Sequence, residues 1–225
     1  MSIESSSAPG TVPADNGHRA GNPLPVQGNT ATASSVTAGP PFADPAALGL
    51  GAFAMTTFVL SVVNAGFIPS ADVPVVLGLA FFYGGIAQFG AGIWEFANRN
   101  VFGATAFCSY GAFWLSFWFL NQFSAASLPA ADAGKAVGLY LLAWAIFTAY
   151  MTIAAWRVSL AVFGVFVFLT LTYIALFLGA FADSHPLNVI GGWLGIITAL
   201  IAWYASLAVV ANFTFKRVLL PVWPR

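Results

Sequence analysis

Four polar side chains lie inside long apolar stretches, where a hydrogen-bonding group costs free energy unless it faces protein or a water-filled path. They are Thr57, Asn64, Gln88 and Ser109. Thr57 and Asn64 are seven residues apart, with Ser61 between them, so all three share one helix face. Neutral amides and hydroxyls hold a carboxylate weakly, which suits passage rather than storage. We therefore predict that these four residues line a path for a small anion.

A competing interpretation is that these groups only join helices, through hydrogen bonds worth about 0.6 kcal/mol each. For a single Ser or Thr this interpretation is favoured, because a hydroxyl can also bond back to its own helix. For Asn64 and Gln88 both interpretations stay open, because an amide needs several partners. No Lys or Arg lies in the middle of an apolar stretch, so an anion would meet neutral groups alone.

The elements that position these residues must be membrane helices. Of the 225 residues, 60% are hydrophobic and 6% are charged, too few charges to cover a soluble domain. The net charge of zero excludes a basic surface for nucleic acid. The single cysteine, Cys108, excludes an internal disulfide, and both histidines lie outside the apolar stretches. We therefore expect no metal centre, no cofactor and no enzymatic activity.

Six apolar stretches are each long enough to cross about 30 Å of hydrocarbon as a helix, which takes about 20 residues. The predicted fold is therefore an all-α integral membrane protein with six transmembrane helices in the cell membrane. Only Trp156 and Arg157 separate the fourth stretch from the fifth, which predicts a tight hairpin at that point. The six stretches run over residues 47–68, 73–96, 103–123, 137–155, 158–180 and 189–213.

The basic residues predict the orientation of these helices. With six crossings, six of the seven basic residues lie on the same side of the membrane as both termini, and Lys135 alone lies on the other side. The positive-inside rule then places both termini in the cytoplasm. Residues 1–43 are rich in Ser, Ala, Pro and Gly and predict a disordered cytoplasmic tail. A transport domain over 44–215 and a short basic tail over 216–225 complete the chain. The residues on the basic side are Arg19, Arg99, Arg157, Lys216, Arg217 and Arg225.

Glu95 is the one acidic residue inside a predicted span. Arg99 follows four residues later, a spacing that favours an ion pair on one helix face near the membrane surface. A proton-carrying role for Glu95 is the alternative.

The chain resembles the acetate uptake transporter family in two blocks. They read DPAALGLGAFAMTTFVLSVVNAG at 44–66 and YGGIAQFGAGIWEFANRNVFGATAFCSYGAFWLSFW at 83–118, with a weaker match, GLYLLAWAIFTAYM, at 138–151. Asp44 and Ala47 depart from the family's opening motif, Asn-Pro-Ala-Pro-Leu-Gly-Leu. Asp44 can still cap a helix, although it adds a negative charge near the mouth of the path. The motif is matched at Pro45, Leu48, Gly49 and Leu50.

The resemblance implies a pore within each protomer and a homo-oligomer, a ring of six. It also implies a constriction formed by Phe53, Tyr110 and Leu169. The implied function is the passage of acetate and other short monocarboxylates, with succinate as a further substrate and protons as a further partner. Ammonium-related fungal members keep an ammonia or ammonium channel as the alternative. A membrane scaffold without transport is a third possibility, which the polar helix faces disfavour.

Overall fold

Each predicted apolar stretch forms a helix in the computed structural model, which describes residues 42–224. None of these residues lies in a strand, although a single β-bridge pairs Ser159 with Pro224. The all-α prediction is therefore confirmed for the described range, while the predicted N-terminal tail lies almost wholly outside it. The helices are α1 (Ala46–Asn64), α2 (Ser70–Ala97), α3 (Val101–Phe119), α4 (Ala133–Ala155), α5 (Leu160–Phe181) and α6 (His185–Phe215).

Five of these helices, all except α3, are long and apolar enough to cross a membrane. Large apolar side chains such as Phe82, Ile146 and Ile153 lie exposed on the outside of the bundle, where lipid can cover them. The protein is therefore a multi-pass integral membrane protein, as predicted.

Neighbouring helices pack as pairs: α1 against α6, α6 against α5, α5 against α4, and α2 against α3. The predicted hairpin between α4 and α5 is confirmed, because α4 ends at Ala155 and α5 begins at Leu160. Ser159 starts α5, where its hydroxyl accepts a hydrogen bond of 3.2 Å from the backbone N–H of Val162. This side chain satisfies one of the N–H groups that a helix start leaves free.

Helix α2 is interrupted by a π-helical turn at Phe82–Ala87. Gly84 in this turn packs so closely on α3 that an added Cβ would lie 2.8 Å from Cδ1 of Trp114. A π turn contains one extra residue per turn, so it changes which side chains after it face the bundle interior. In this case the residues after the turn that face inward include Gln88 and Glu95, both almost fully buried.

The C-terminal segment folds back onto the bundle. Lys216 ends α6 with a left-handed backbone conformation, φ 53°, which reverses the chain. The side-chain Oδ1 of Asn212 then accepts hydrogen bonds from the backbone N–H groups of Leu219 and Leu220, at 2.7 and 3.0 Å. The carbonyl of Trp223 accepts a bond of 3.0 Å from the N–H of Leu160. Over residues 216–224, the described part of the predicted basic tail, the chain is thus packed against the bundle.

Candidate functional site

A cavity of about 690 Å³ lies within the described bundle. Its polar lining residues come mainly from one end of the bundle, where α1, α3 and α5 finish and α2, α4 and α6 begin. This end is opposite to the one that carries Arg99, Arg157 and Lys216. The cavity therefore enters the bundle from the side poor in basic residues.

Amide side chains surround the mouth of the cavity. Asn64 at the end of α1 is half-buried and makes no side-chain hydrogen bond to the described residues. Asn121 is committed to the protein, since its Nδ2 donates a bond of 2.8 Å to the carbonyl of Phe117. His185 and Asn188, from the first turn of α6, complete this polar rim. Asn64 and Asn188 are thus the two mouth amides that are partly exposed and make no side-chain hydrogen bond to the described residues, and Asn64 is the one predicted from the sequence.

The base of the cavity is apolar and aromatic. Phe53 and Leu169 line it and are 4% and 3% exposed, and Phe113, Trp114 and Tyr173 close around them. Such a surface offers contact to a methyl group and little to a charge.

Tyr110, the third predicted constriction residue, lies behind this base rather than on the cavity wall. Its ring centre is 5.7 Å from that of Phe53, and its hydroxyl is 2.9 Å from Oγ1 of Thr148 on α4. Phe53, Tyr110 and Leu169 belong to one buried cluster, so the structure brings the three together. Their role as a constriction stays a prediction.

The four predicted path residues separate into two pairs. Thr57 and Asn64 line the cavity, whereas Gln88 and Ser109 do not. Gln88 is fully buried, and neither its Oε1 nor its Nε2 has a partner among the described residues. Ser109 is partly exposed on α3. A path role for Gln88 and Ser109 therefore stays a prediction, without support from this cavity.

Sequence reasoning missed the contributions of α4 and α6. The predicted path residues lie on α1, α2 and α3, and Leu169 of the predicted constriction lies on α5, but Tyr140 on α4 and Asn188 on α6 also line the cavity. Tyr140 is anchored by a bond of 2.8 Å to the hydroxyl of Ser116 on α3. Asn188 could have been predicted as a lining residue, because a side chain in the first turn of an apolar helix tilts towards the N-terminal end of that helix.

The cavity has no fixed charge, since its lining contains no Asp, Glu, Lys or Arg. Within residues 42–224 the ion pair is that of Lys135 with Asp132, at 3.5 Å on the surface. His185, Tyr140 and Tyr173 are the titratable groups on the cavity wall. A solute in the cavity is therefore held by neutral hydrogen bonds and apolar contact.

The predicted ion pair between Glu95 and Arg99 is wrong. Helix α2 ends at Ala97 and Arg99 has a left-handed backbone, φ 59°, so Arg99 does not continue the helix face of Glu95. Glu95 is 1% exposed, and its Oε2 instead accepts a bond of 2.9 Å from Nδ2 of Asn100. Asn100 in turn caps α3 by accepting a bond of 3.0 Å from the N–H of Gly103. Glu95 thus helps to hold the α2–α3 turn.

Comparison with known proteins gives consistent matches over most of the chain. The profile of the GPR1/FUN34/yaaH family matches residues 26–224. The "Ammonia transport outward protein 2" of Saccharomyces cerevisiae is 44% identical over 177 residues, which are 76% of this chain and 62% of that protein. The "Succinate-acetate/proton symporter SatP" of Escherichia coli K12 is 36% identical over 180 residues, or 80% of this chain and 95% of that protein.

A solved structure has the same fold. The "Structure of the bacterial acetate channel SatP" superposes with a TM-score of 0.76 at 36% identity, over 80% of this chain and 99% of that one. The chain spans 62% of the length of the Saccharomyces cerevisiae relative named above.

Proposed function

We propose, since the chain belongs to the GPR1/FUN34/yaaH family, that it is a membrane channel or transporter for acetate and other short monocarboxylates. The observation that carries the proposal is the cavity, which joins a rim of neutral amides to an apolar base. Acetate and its short relatives have a matching shape, with a polar head and a methyl or small alkyl tail. The bacterial relatives named for acetate and succinate support this substrate class.

The proposed path begins at Asn64 and Thr57 and ends at the apolar base. Asn64 lies near the end of α1, and Thr57 lies two helical turns deeper on the same face. Each offers a hydrogen bond that replaces part of the hydration of the carboxyl group as it enters. Phe53 and Leu169 then contact the alkyl end.

We expect purified protein in liposomes to take up labelled acetate faster than protein-free liposomes do. Asn64→Ala should slow uptake about fivefold, because about 1 kcal/mol of hydrogen bonding is lost at the entrance. Asn121→Ala is the matched control and should change uptake little, since that amide is committed to the Phe117 carbonyl. The proposal fails if the wild-type protein adds nothing to the protein-free rate at any pH gradient.

A second candidate is ammonia passage, which the name of one yeast relative favours. Ammonium would be attracted by acidic groups along the path, and the cavity lining contains none. Carboxylate passage therefore fits the cavity better. The same liposomes distinguish the two, because an ammonia channel would change internal pH on addition of ammonium chloride without taking up labelled acetate.

We further propose six crossings, with α3 as the sixth and both termini in the cytoplasm. Helix α3 has 19 residues and no charge, and its Trp, Tyr, Ser and Gly residues score low on hydropathy scales. Six crossings put Arg157 inside and Lys135 outside. In a Cys108→Ala background on intact cells, a membrane-impermeant maleimide should label Lys135→Cys but not Arg157→Cys. Equal labelling of both would contradict the orientation.

The ring of six protomers stays a prediction, which native mass spectrometry tests.

A further inference from the structure

The chain beyond α6 lies across the end of the bundle that is opposite to the cavity mouth. Asn212 on α6 holds residues 219 and 220 through its side chain. Its Oδ1 accepts from the N–H groups of Leu219 and Leu220, at 2.7 and 3.0 Å, and its Nδ2 donates to the carbonyl of Leu220 at 2.9 Å. Residues 221–224, which we call the C-terminal strap, then cross from α6 to the start of α5.

The strap is bonded to the first turn of α5. The N–H of Leu160 donates to the carbonyl of Trp223 at 3.0 Å, and the N–H of Ala161 donates to the carbonyl of Val222 at 3.4 Å. The first N–H groups of a helix have no partner within that helix, so they need one from outside. At a helix end that faces solvent, water supplies that partner when the strap does not. These bonds therefore hold the strap in place without making the contact permanent.

Helix α6 holds the strap from the other side. The hydroxyl of Tyr204 donates a bond of 2.6 Å to the carbonyl of Pro221, and its ring stacks on that of Trp223 with the ring centres 6.5 Å apart. Trp223 has a left-handed backbone, φ 49°, which is strained for a residue other than glycine. The contacts with Tyr204 and with α5 thus oppose a strain that favours release of the strap.

Val222 is the strap residue that reaches into the bundle. It packs on an apolar cluster whose buried members are Leu50 on α1, Phe107 on α3, Ala161 on α5 and Ala205 on α6. Every other described member of this cluster belongs to a helix, so Val222 is the member that can move without separating two helices. The side chains of Ala161 and Ala205 are small, so the helices leave space there for Val222.

The cluster lies one helical turn beyond the base of the cavity. Leu50 precedes Phe53 by three residues on α1, and Phe107 precedes Tyr110 by three residues on α3. Phe53 lines the cavity base, whereas Leu50, Phe107 and Val222 do not line the cavity. A solute that leaves the base and follows the bundle axis therefore meets this cluster next, and Val222 closes the cluster on its far side.

We propose that the C-terminal strap is a lid on the end of the path opposite to the cavity mouth. With Val222 in the cluster, as the structure shows it, the path is closed at this end. Passage requires residues 221–224 to lift off α5 and Tyr204, while Asn212 keeps residues 219 and 220 on α6 as the hinge. The inference rests on the proposed function, to which it adds control of passage by the chain's own C-terminal segment.

A cysteine pair can lock the strap in this position. Ser159 and Pro224 pair in an antiparallel β-bridge. The Cα atoms of residues paired in this way lie about 4.5–5.5 Å apart, which is within the range that a disulfide spans. In a Cys108→Ala background, we expect the Ser159→Cys/Pro224→Cys double variant to form a disulfide on oxidation. Its acetate uptake in liposomes should then fall to the protein-free rate and return on addition of dithiothreitol.

The reduced double variant is the reference for the oxidised one, so any effect of the substitutions on folding cancels. The single variants Ser159→Cys and Pro224→Cys, treated with the same oxidant, should keep their uptake rates. A disulfide-linked protein that takes up acetate as fast as its reduced form would overturn the lid. Thiols that stay free for maleimide labelling after oxidation would overturn it too, because the strap would then not lie on α5.

Loosening the strap should have the opposite effect. Tyr204→Phe keeps the ring on Trp223 and deletes the bond to the Pro221 carbonyl. The open form should become more populated, and acetate uptake should rise about fivefold, the factor contributed by one net hydrogen bond. Tyr150→Phe is the matched control, because the Tyr150 side chain is exposed on α4, and it should leave uptake unchanged.

The direction of the Tyr204→Phe effect separates a lid from a structural support. A purely structural role of the strap predicts equal or slower uptake at equal amounts of protein in the membrane, and either result would overturn the lid while leaving acetate transport standing. If the wild-type protein takes up no acetate at all, the proposed function fails instead.

Discussion

Leu169→Ala and Phe53→Ala should each raise the uptake of lactate and succinate relative to acetate, by about tenfold. Both side chains line the base of the cavity and are almost fully buried there. In the proposed path the width of this base rejects larger acids, whereas acetate already fits, so removing side-chain volume should help the larger acids more. One extra or missing methylene group in an apolar pocket changes the free energy that distinguishes two substrates by about 1–3 kcal/mol. The tenfold change expected in the uptake ratio lies in this range.

The measurement is uptake of labelled acetate, lactate and succinate side by side, normalised to protein in the membrane. Leu176→Ala is the matched control, because Leu176 lies on the same face of α5 but nearer the mouth, where width is not limiting. Tyr110→Phe keeps the width and deletes the bond to Thr148, so it should leave the ratio of substrates unchanged. An unchanged ratio in both alanine variants at the base would show that these residues do not select by size.

Gly192→Ala should prevent the bundle from assembling stably. Helix α6 crosses the end of α1 at Gly192, and an added Cβ would lie 2.6 Å from the Cα of Ala65 and from the carbonyl carbon of Asn64. These are backbone atoms, which cannot rotate away as a side chain could. Overpacking of this kind costs about 1–3 kcal/mol or more, and here it separates α1 from α6. We expect a large loss of monodisperse protein and a lower thermal midpoint in detergent.

Gly90→Ala is the matched control for that variant. Gly90 lies on α2, and an added Cβ there would meet no atom within 4 Å. Alanine is favoured over glycine inside a helix by about 1 kcal/mol, so this change should leave stability equal or slightly higher. Equal yields and equal midpoints for the two variants would contradict the close approach of α6 to α1.

The sequence by itself determined the helices and their membrane environment. Apolar runs of about 20 residues cannot be covered by water, and their length matches one bilayer crossing. The interruption at Arg157 was enough to predict the turn between α4 and α5, because two crossings need a reversal somewhere in that run. The shared inward face of Thr57 and Asn64 also followed from spacing, since α1 is a regular helix over both residues.

Partners distant in sequence were decided only by the tertiary structure. Tyr110 bonds Thr148, 38 residues away, and this pairing depends on how α3 and α4 lie against each other. Helical spacing says which residues share a face but not which neighbour that face meets. The same limit explains why the Glu95 carboxylate was assigned to Arg99 rather than Asn100: the end of a helix alters the direction of the next side chains.

Gln88 shows the limit of spacing within one helix. Its place in the path was predicted because it is an amide inside an apolar stretch, but the π turn at Phe82–Ala87 lies directly before it. An extra residue in a turn rotates everything that follows by roughly 100° relative to what precedes it. Gly84 in this turn lies against Trp114 of another helix, a contact that cannot be read from the sequence Phe-Tyr-Gly-Gly. The sequence therefore determined which residues are polar inside the membrane, and packing between helices decided which of them face the cavity.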